Sequence, residues 1–152
     1  MNDKICEIIN KSALLHKRLM NKILERFSLT YAQYQVLKTI KTHSSLTAKE
    51  ILVYMDTDKA TLSGVLSRLE KQNLIIRTKD PEDKRLMHIQ LTERSNMLCD
   101  QVSQVEDTCA GALTENIKGR ELKNFFSVFE RIIDNQQKKL QEETKRTQEA
   151  KQ

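Results

Sequence analysis

The sequence predicts a mainly α fold with a small β wing: a winged helix-turn-helix carrying N- and C-terminal dimerisation helices. Three observations predict it. The first is composition: 152 residues, 38% of them hydrophobic, with only three Gly and one Pro. Long helices suit that balance better than an all-β sandwich, whose many turns consume both residues. The second is residues 58–92, DKATLSGVLSRLEKQNLIIRTKDPEDKRLMHIQLT. A short helix with small polar residues on one face leads into a strand, a charged tip and a second strand ending at Thr92. The third is a set of apolar stripes at helical spacing that flank this stretch on both sides.

Each element follows in order. Residues 4–26 form a helix, because Ile5, Ile8, Ile9, Leu15, Leu19 and Ile23 recur at steps that place them on one stripe. Thr30 with Gln33 has the spacing of a capping box and opens a second helix, with Val36, Leu37 and Ile40 on its inner face and an end near His43. Thr47 with Glu50 repeats the device for a short third helix. Asp58 caps the fourth, residues 59–72, since a carboxylate suits the positive start of a helix. Leu62, Val65, Leu66 and Leu69 line its inside. Ala60, Gly64, Ser67 and Lys71 lie opposite, flanked by Thr61, Ser63 and Arg68.

Residues 74–79 and 87–91 read as strands around the turn Asp80-Pro81-Glu82-Asp83. Thr92 caps a fifth helix whose Leu98, Val102, Val105, Cys109 and Ala112 make a short heptad-like seam. Gly119 marks a break before a sixth helix carrying Leu122, Phe125, Phe126, Phe129, Ile132 and Ile133. The resulting organisation is a helical dimerisation region at 1–28 and 93–140, a winged helix-turn-helix at 29–92, and a frayed or disordered tail at 141–152 where Ala150 is the one apolar residue. The long stripes exceed what the small middle can cover. A symmetric dimer satisfies them, and an intramolecular three-helix bundle is the competing arrangement.

Several function classes are disfavoured. No apolar run approaches a bilayer span, and the N-terminus lacks the basic flank and apolar block of a secretory signal. Three widely spaced cysteines make no disulfide framework, so reduced thiols in a cytoplasm are expected. His16, His43 and His88 are scattered without metal-ligand spacing, so neither a metal nor another cofactor is expected. Gly-rich phosphate loops, nucleophile elbows and paired catalytic carboxylates are lacking, so an enzyme is not expected. A formal net charge of +5 and a pI of about 9.1 suit a phosphate partner. Between Asp58 and Arg85, however, seven Lys or Arg stand against five Asp or Glu, so placement must carry the case for DNA.

The chain resembles the MarR (multiple antibiotic resistance regulator) family over about residues 5–140. The matching pieces are LTYAQYQVL at 29–37, LTAKEI at 46–51, DKATLSGVLSRLEKQNLIIR at 58–77, DPEDKR at 80–85 and IQLTERS at 89–95. Asn73 and Ser95 stand where Gly is commoner. The resemblance implies a homodimeric regulator, usually a repressor, on the double-stranded DNA of a pseudo-palindromic operator. Recognition helices would enter major grooves and wings the flanking minor grooves, and a small-molecule effector or an oxidant would lower DNA affinity. It also implies a ligand pocket between the dimerisation helices and the DNA-binding lobe. Tyr31, Tyr34, Leu19 and Ile23 could line that pocket or serve as core.

Residue roles follow. Lys59, Thr61, Ser63, Gly64, Ser67 and Arg68 form the reading face of the recognition helix. Short hydroxyls let a helix sit deep, Arg68 can meet guanine or phosphate, and Lys59 suits phosphate. Gly64 costs a helix about 1 kcal/mol relative to Ala, which tight helix packing or close approach of a ligand surface would explain. In the wing, the Arg85 guanidinium suits a narrow minor groove, Asp83 would hold that guanidinium in place, and Lys84 meets phosphate. Bland readings of these residues are an ordinary polar face and a surface ion pair. Cys6, with Tyr31, raises the alternative of a thiol-based repressor sensing organic hydroperoxides, as in some relatives. Met20 stands where such sensors have a second tyrosine, and a small buried apolar thiol is the competing reading. Cys99 and Cys109 are expected to pack. A helical protein-interaction module without DNA function is the remaining alternative.

Overall fold

The computed structural model describes residues 2–55 and 57–150. The elements run α1 (Asn2–Glu25), α2 (Tyr31–His43), β1 (Leu46–Thr47), α3 (Ala48–Tyr54), α4 (Lys59–Lys71), β2 (Ile75–Lys79), β3 (Met87–Leu91), α5 (Glu93–Leu113) and α6 (Gly119–Glu149). Both expected capping boxes form. The Gln33 amide donates to Thr30 Oγ1 at 3.3 Å while the Thr30 amide donates to Gln33 Oε1 at 2.9 Å. Glu50 and Thr47 repeat the exchange at 3.3 and 2.7 Å. These pairs satisfy backbone donors that a helix start leaves open, which is why α2 and α3 begin where they do.

The chain divides into two compact units, Met1–Cys109 and Ala110–Gln152. In the first, Met20, Ile23 and Leu24 of α1 share one core with Tyr34, Val36, Leu37 and Ile40 of α2, with Ile51 of α3, and with Cys99 and Val102 of α5. The inner face of α4 and Ile75 and Ile89 of the sheet complete that core. The three strands lie in the order β1-β3-β2, all antiparallel. The two-residue β1 was not anticipated from sequence, because Leu46-Thr47 is too short to show alternation.

Two polar details fix the junction between α4, the sheet and α5. Asn73 adopts φ 55°, a left-handed conformation that Asn tolerates better than most residues. Thr92 Oγ1 accepts from the Ser95 amide at 3.2 Å and so caps α5. Ser95 itself is fully buried, and its hydroxyl donates to the Leu74 carbonyl at 2.6 Å. This side-chain bond, which a Gly could not make, ties the helix start to the strand entry.

In the second unit, Asn116 at φ 63° precedes α6, and Glu121 Oε2 accepts from the Lys118 amide at 3.0 Å. Fraying was expected from residue 141, yet α6 continues to Glu149; residues 151 and 152 lie outside the described residues. Lys139 pairs with Glu142 and Glu143, and Arg146 with Glu143. Such one-turn pairs, together with a run of good helix formers, hold a helix that buries nothing.

Candidate nucleic-acid interface

The fourth helix presents a polar face because its other face is anchored. Leu62, Val65, Leu66 and Leu69 are all buried in the core, whereas Lys59, Thr61, Ser63, Gly64, Ser67 and Arg68 are exposed. Asp58 starts the helix, accepting the Thr61 amide on Oδ1 at 2.9 Å and the Thr61 hydroxyl on Oδ2 at 2.6 Å. The hydroxyl contact, then the amide, hold this carboxyl below its ordinary range. The Thr61 hydroxyl proton is committed to the cap, so Thr61 offers an approaching surface its methyl group and oxygen lone pairs rather than a donor for phosphate.

Gly64 meets no packing constraint. A Cβ placed there would have Arg68 Nη2 as its nearest neighbour, at 3.8 Å, an ordinary contact. Tight packing within the chain therefore does not explain the glycine. The Arg68 guanidinium lies back along the exposed face above it.

The wing is a hairpin whose tip is organised by carboxylates. The Asp80 amide donates to the Leu86 carbonyl at 3.0 Å, closing the loop. Asp80 Oδ1 accepts the amides of Glu82 and Asp83, each at 2.8 Å. Asp80 Oδ2 lies 2.8 Å from His88 Nε2 on β3. The Asp83 amide is the largest of the causes that pull the Asp80 carboxyl down to about 2, followed by His88 and the Glu82 amide. Asp83 departs from expectation: its Oδ1 accepts the backbone amide of Arg85 at 3.0 Å rather than its guanidinium. Such a two-residue turn orders only a short side chain, whereas pinning a guanidinium would also cost its rotamer freedom. No ion pair among the described residues involves Lys84 or Arg85.

These bonds occupy most of the local acidic side chains. Four of the acidic residues between Asp58 and Arg85 are engaged: Asp58 in the cap, Glu70 with Arg77 Nε at 3.1 Å, and Asp80 and Asp83 in the tip. Lys59, Arg68, Lys71, Lys84 and Arg85 stay exposed. Asp80 and His88 were missed as a pair. The β register held the signal, since Thr78 lies opposite His88 and Asp80 shares the strand face of Thr78.

Beside α4 lies a cavity of about 330 Å³ lined by Lys17, Tyr31, Gln35, Tyr54, Thr61 and Val65, among others. Of the pocket candidates, Tyr31 lines it, Tyr34 and Ile23 are core, and Leu19 packs against the core. Tyr34 is fully buried, and its hydroxyl donates to Glu106 Oε2 at 2.7 Å, which Lys38 Nζ also meets at 2.9 Å. Burial first, and then the Glu106 carboxylate, push the phenol far above its ordinary range.

Cys6 is exposed on α1, not buried. It does not meet Tyr31 within one chain. Tyr31 contacts His16 edge-on at 6.2 Å, and Cys6 lies ten residues earlier on the same helix, about 15 Å along its axis. Cys99 is buried in the core, and burial raises its thiol pKa, which keeps it protonated and inert. Among the described residues no group of three or more His, Cys, Asp or Glu is placed to hold a metal ion, and no helix is long and apolar enough to cross a membrane.

An anchored helix with an exposed polar face, joined to a cation-tipped hairpin, is the architecture of a winged helix-turn-helix. Residues 29–87 match the model of the MarR family. Over that stretch the chain is similar to that family. It is 27% identical to the organic hydroperoxide resistance transcriptional regulator of Bacillus subtilis over 134 residues, 88% of this chain and 90% of the relative. The HTH-type transcriptional regulator MgrA of Staphylococcus aureus is 27% identical over 113 residues, 74% of this chain and 77% of the relative. Among solved structures, a mutant MarR from E. coli complexed with operator DNA superposes with a TM-score of 0.70 at 28% identity, covering 83% of this chain and 95% of that one.

Proposed function

We propose that the protein is a homodimeric repressor that binds the duplex DNA of a pseudo-palindromic operator. The observation that carries this is the pairing, on one rigid lobe, of the α4 face with the wing tip. Lys59, Ser63, Ser67 and Arg68 meet the major groove, Gly64 lets the helix approach closely, and Thr61 contributes contact surface. Arg85 enters the minor groove, with Lys84 on phosphate and Asp83 shaping the tip. Dimerisation is supported by apolar faces left open on single helices: Ile8 of α1 is 57% exposed and Phe126 of α6 55%. Residues 1–28 and 93–140 form the dimerisation region and 29–92 the DNA-binding lobe. The protein acts in the cytoplasm, by binding rather than by catalysis.

A small-molecule effector entering the cavity beside α4 would release the DNA. A second reading, oxidant sensing through Cys6, is favoured by the likeness to the Bacillus subtilis regulator. In that case the Tyr31 partner would have to come from the other subunit.

The test is a fluorescence titration against duplexes selected from genomic fragments, run at several salt concentrations. Saturable binding should weaken with a log–log slope of about −0.9 per neutralised phosphate. Equal affinity for a scrambled duplex would overturn sequence-specific binding, and a monomer in sedimentation would overturn the homodimer. Treating the complex with an organic hydroperoxide separates the two signals: oxidant sensing requires release from the parent protein and retention by Cys6→Ser.

A further inference from the structure

The wing tip lacks an apolar core of its own, and every residue from Pro81 to Met87 is exposed. One carboxylate makes more of its side-chain bonds than any other. Asp80 is bonded on one oxygen to two tip amides, at 2.8 Å each, and on the other to the His88 ring at 2.8 Å. His88 sits on the central strand of the sheet, opposite Thr78 of β2 and Thr47 of β1. The tip is thereby tied, through one side-chain pair, to the strand that contacts both neighbours.

We infer that Asp80 and His88 act together as a positioning pair that sets the wing for DNA, with the ring's proton strengthening the hold. This rests on the proposed DNA-binding role of the wing. Imidazole is the side chain whose charge changes between about pH 5 and 8. With the ring protonated, the contact to Asp80 becomes a charge-assisted bond, roughly twice as strong as a neutral one. The charged groups around the ring come from two places. Asp80 approaches from the tip. Glu50, at the start of α3, feels the ring's charge while its carboxylate is held in the Thr47 cap. The two flanking strands present uncharged threonines. On the α2 side, Lys41 is committed to Asp100 at 2.6 Å and to the Asn96 carbonyl at 3.0 Å. A tip already held in its bound shape forfeits less conformational freedom on meeting the groove, so protonation should tighten binding.

The experiment compares the parent with His88→Gln, which keeps a hydrogen-bond donor but does not titrate, and with Asp80→Asn, which keeps an acceptor for the tip amides but has no charge. Two readouts are followed between pH 7.5 and 6.0: affinity for a labelled duplex selected on the parent, and amide hydrogen exchange at Glu82 and Asp83. The parent should bind about threefold tighter at the lower pH, with slower tip exchange, a gain within the limit of about tenfold per pH unit for one coupled proton. Both variants should lose most of that pH response, with His88→Gln retaining the parent's urea midpoint. His16 and His43 remain in both variants, so any response they cause persists and is subtracted. Parallel pH profiles for parent and His88→Gln would overturn the inference. Absence of binding to any duplex would instead overturn the proposed function, with tip exchange still deciding the role of the pair.

Discussion

Helix α4 and the wing belong to the same compact unit but are held by different forces. The inner face of α4 is fixed by Leu62, Val65, Leu66 and Leu69, each no more than 4% exposed. The tip at residues 80–86 is fixed by hydrogen bonds to Asp80 and Asp83, all at the surface. Burial is insensitive to pH and salt and is shared over many contacts. Polar bonds at a surface are individually weak and depend on charge. One part is thus held by burial and the other by polar bonds, and changes in the two should fail in different ways.

The largest effect should come from the helix interior. Leu66→Ala opens a cavity in the core and should cost about 2–5 kcal/mol of folding stability, measured as a lower urea midpoint with DNA affinity lost through unfolding. Next, Arg85→Ala should leave the urea midpoint unchanged and weaken operator binding by about 1–3 kcal/mol, some ten- to hundredfold. Equal affinity for this variant and the parent would remove the wing from the interface.

Gly64→Ala sharpens the comparison because its two effects have opposite signs. The added methyl group fits, with Arg68 Nη2 at 3.8 Å, so the helix should gain about 1 kcal/mol of stability. Operator affinity should fall if the groove approaches as closely as proposed. Higher stability with undiminished affinity would return Gly64 to an ordinary helix position.

The smallest effect is local and acid-dependent. The folded state lowers the Asp80 pKa to about 2, while an unperturbed aspartate titrates near 3.9. A depressed carboxyl contributes its stabilisation above the unfolded value and loses it as pH falls through the folded one. Tip amides of Glu82 and Asp83 should therefore lose protection between about pH 4 and 2, ahead of amides in α4 if the global fold survives. Simultaneous loss in both regions would contradict separate anchoring.

Much of this architecture was legible in the sequence because its signals are local. Thr30 with Gln33 and Thr47 with Glu50 mark helix starts within four residues, and Asn73 marks a left-handed turn by its residue type. The inner face of α4 follows from periodicity alone. What escaped needs knowledge of the third dimension. The Asp80–His88 contact spans the hairpin and emerges only once register is known. The bond from Ser95 to Leu74 crosses 21 positions. The Asp83 carboxylate could reach either the Arg85 amide or its guanidinium, and residue type does not choose between them. The helix beyond residue 140 was hidden because only Ala150 is apolar there, while its ion pairs need a helix before they can form.

Thr61 serves two surfaces at once, closing the first turn of α4 on one side and walling the 330 Å³ cavity on the other. A guest in that hollow would press on the DNA reader through a single side chain, with no long chain of intermediaries. Linkage then works in both directions: whatever factor the guest takes from operator affinity, bound operator takes from the guest. Promoter occupancy would thus set the inducer concentration needed to empty it.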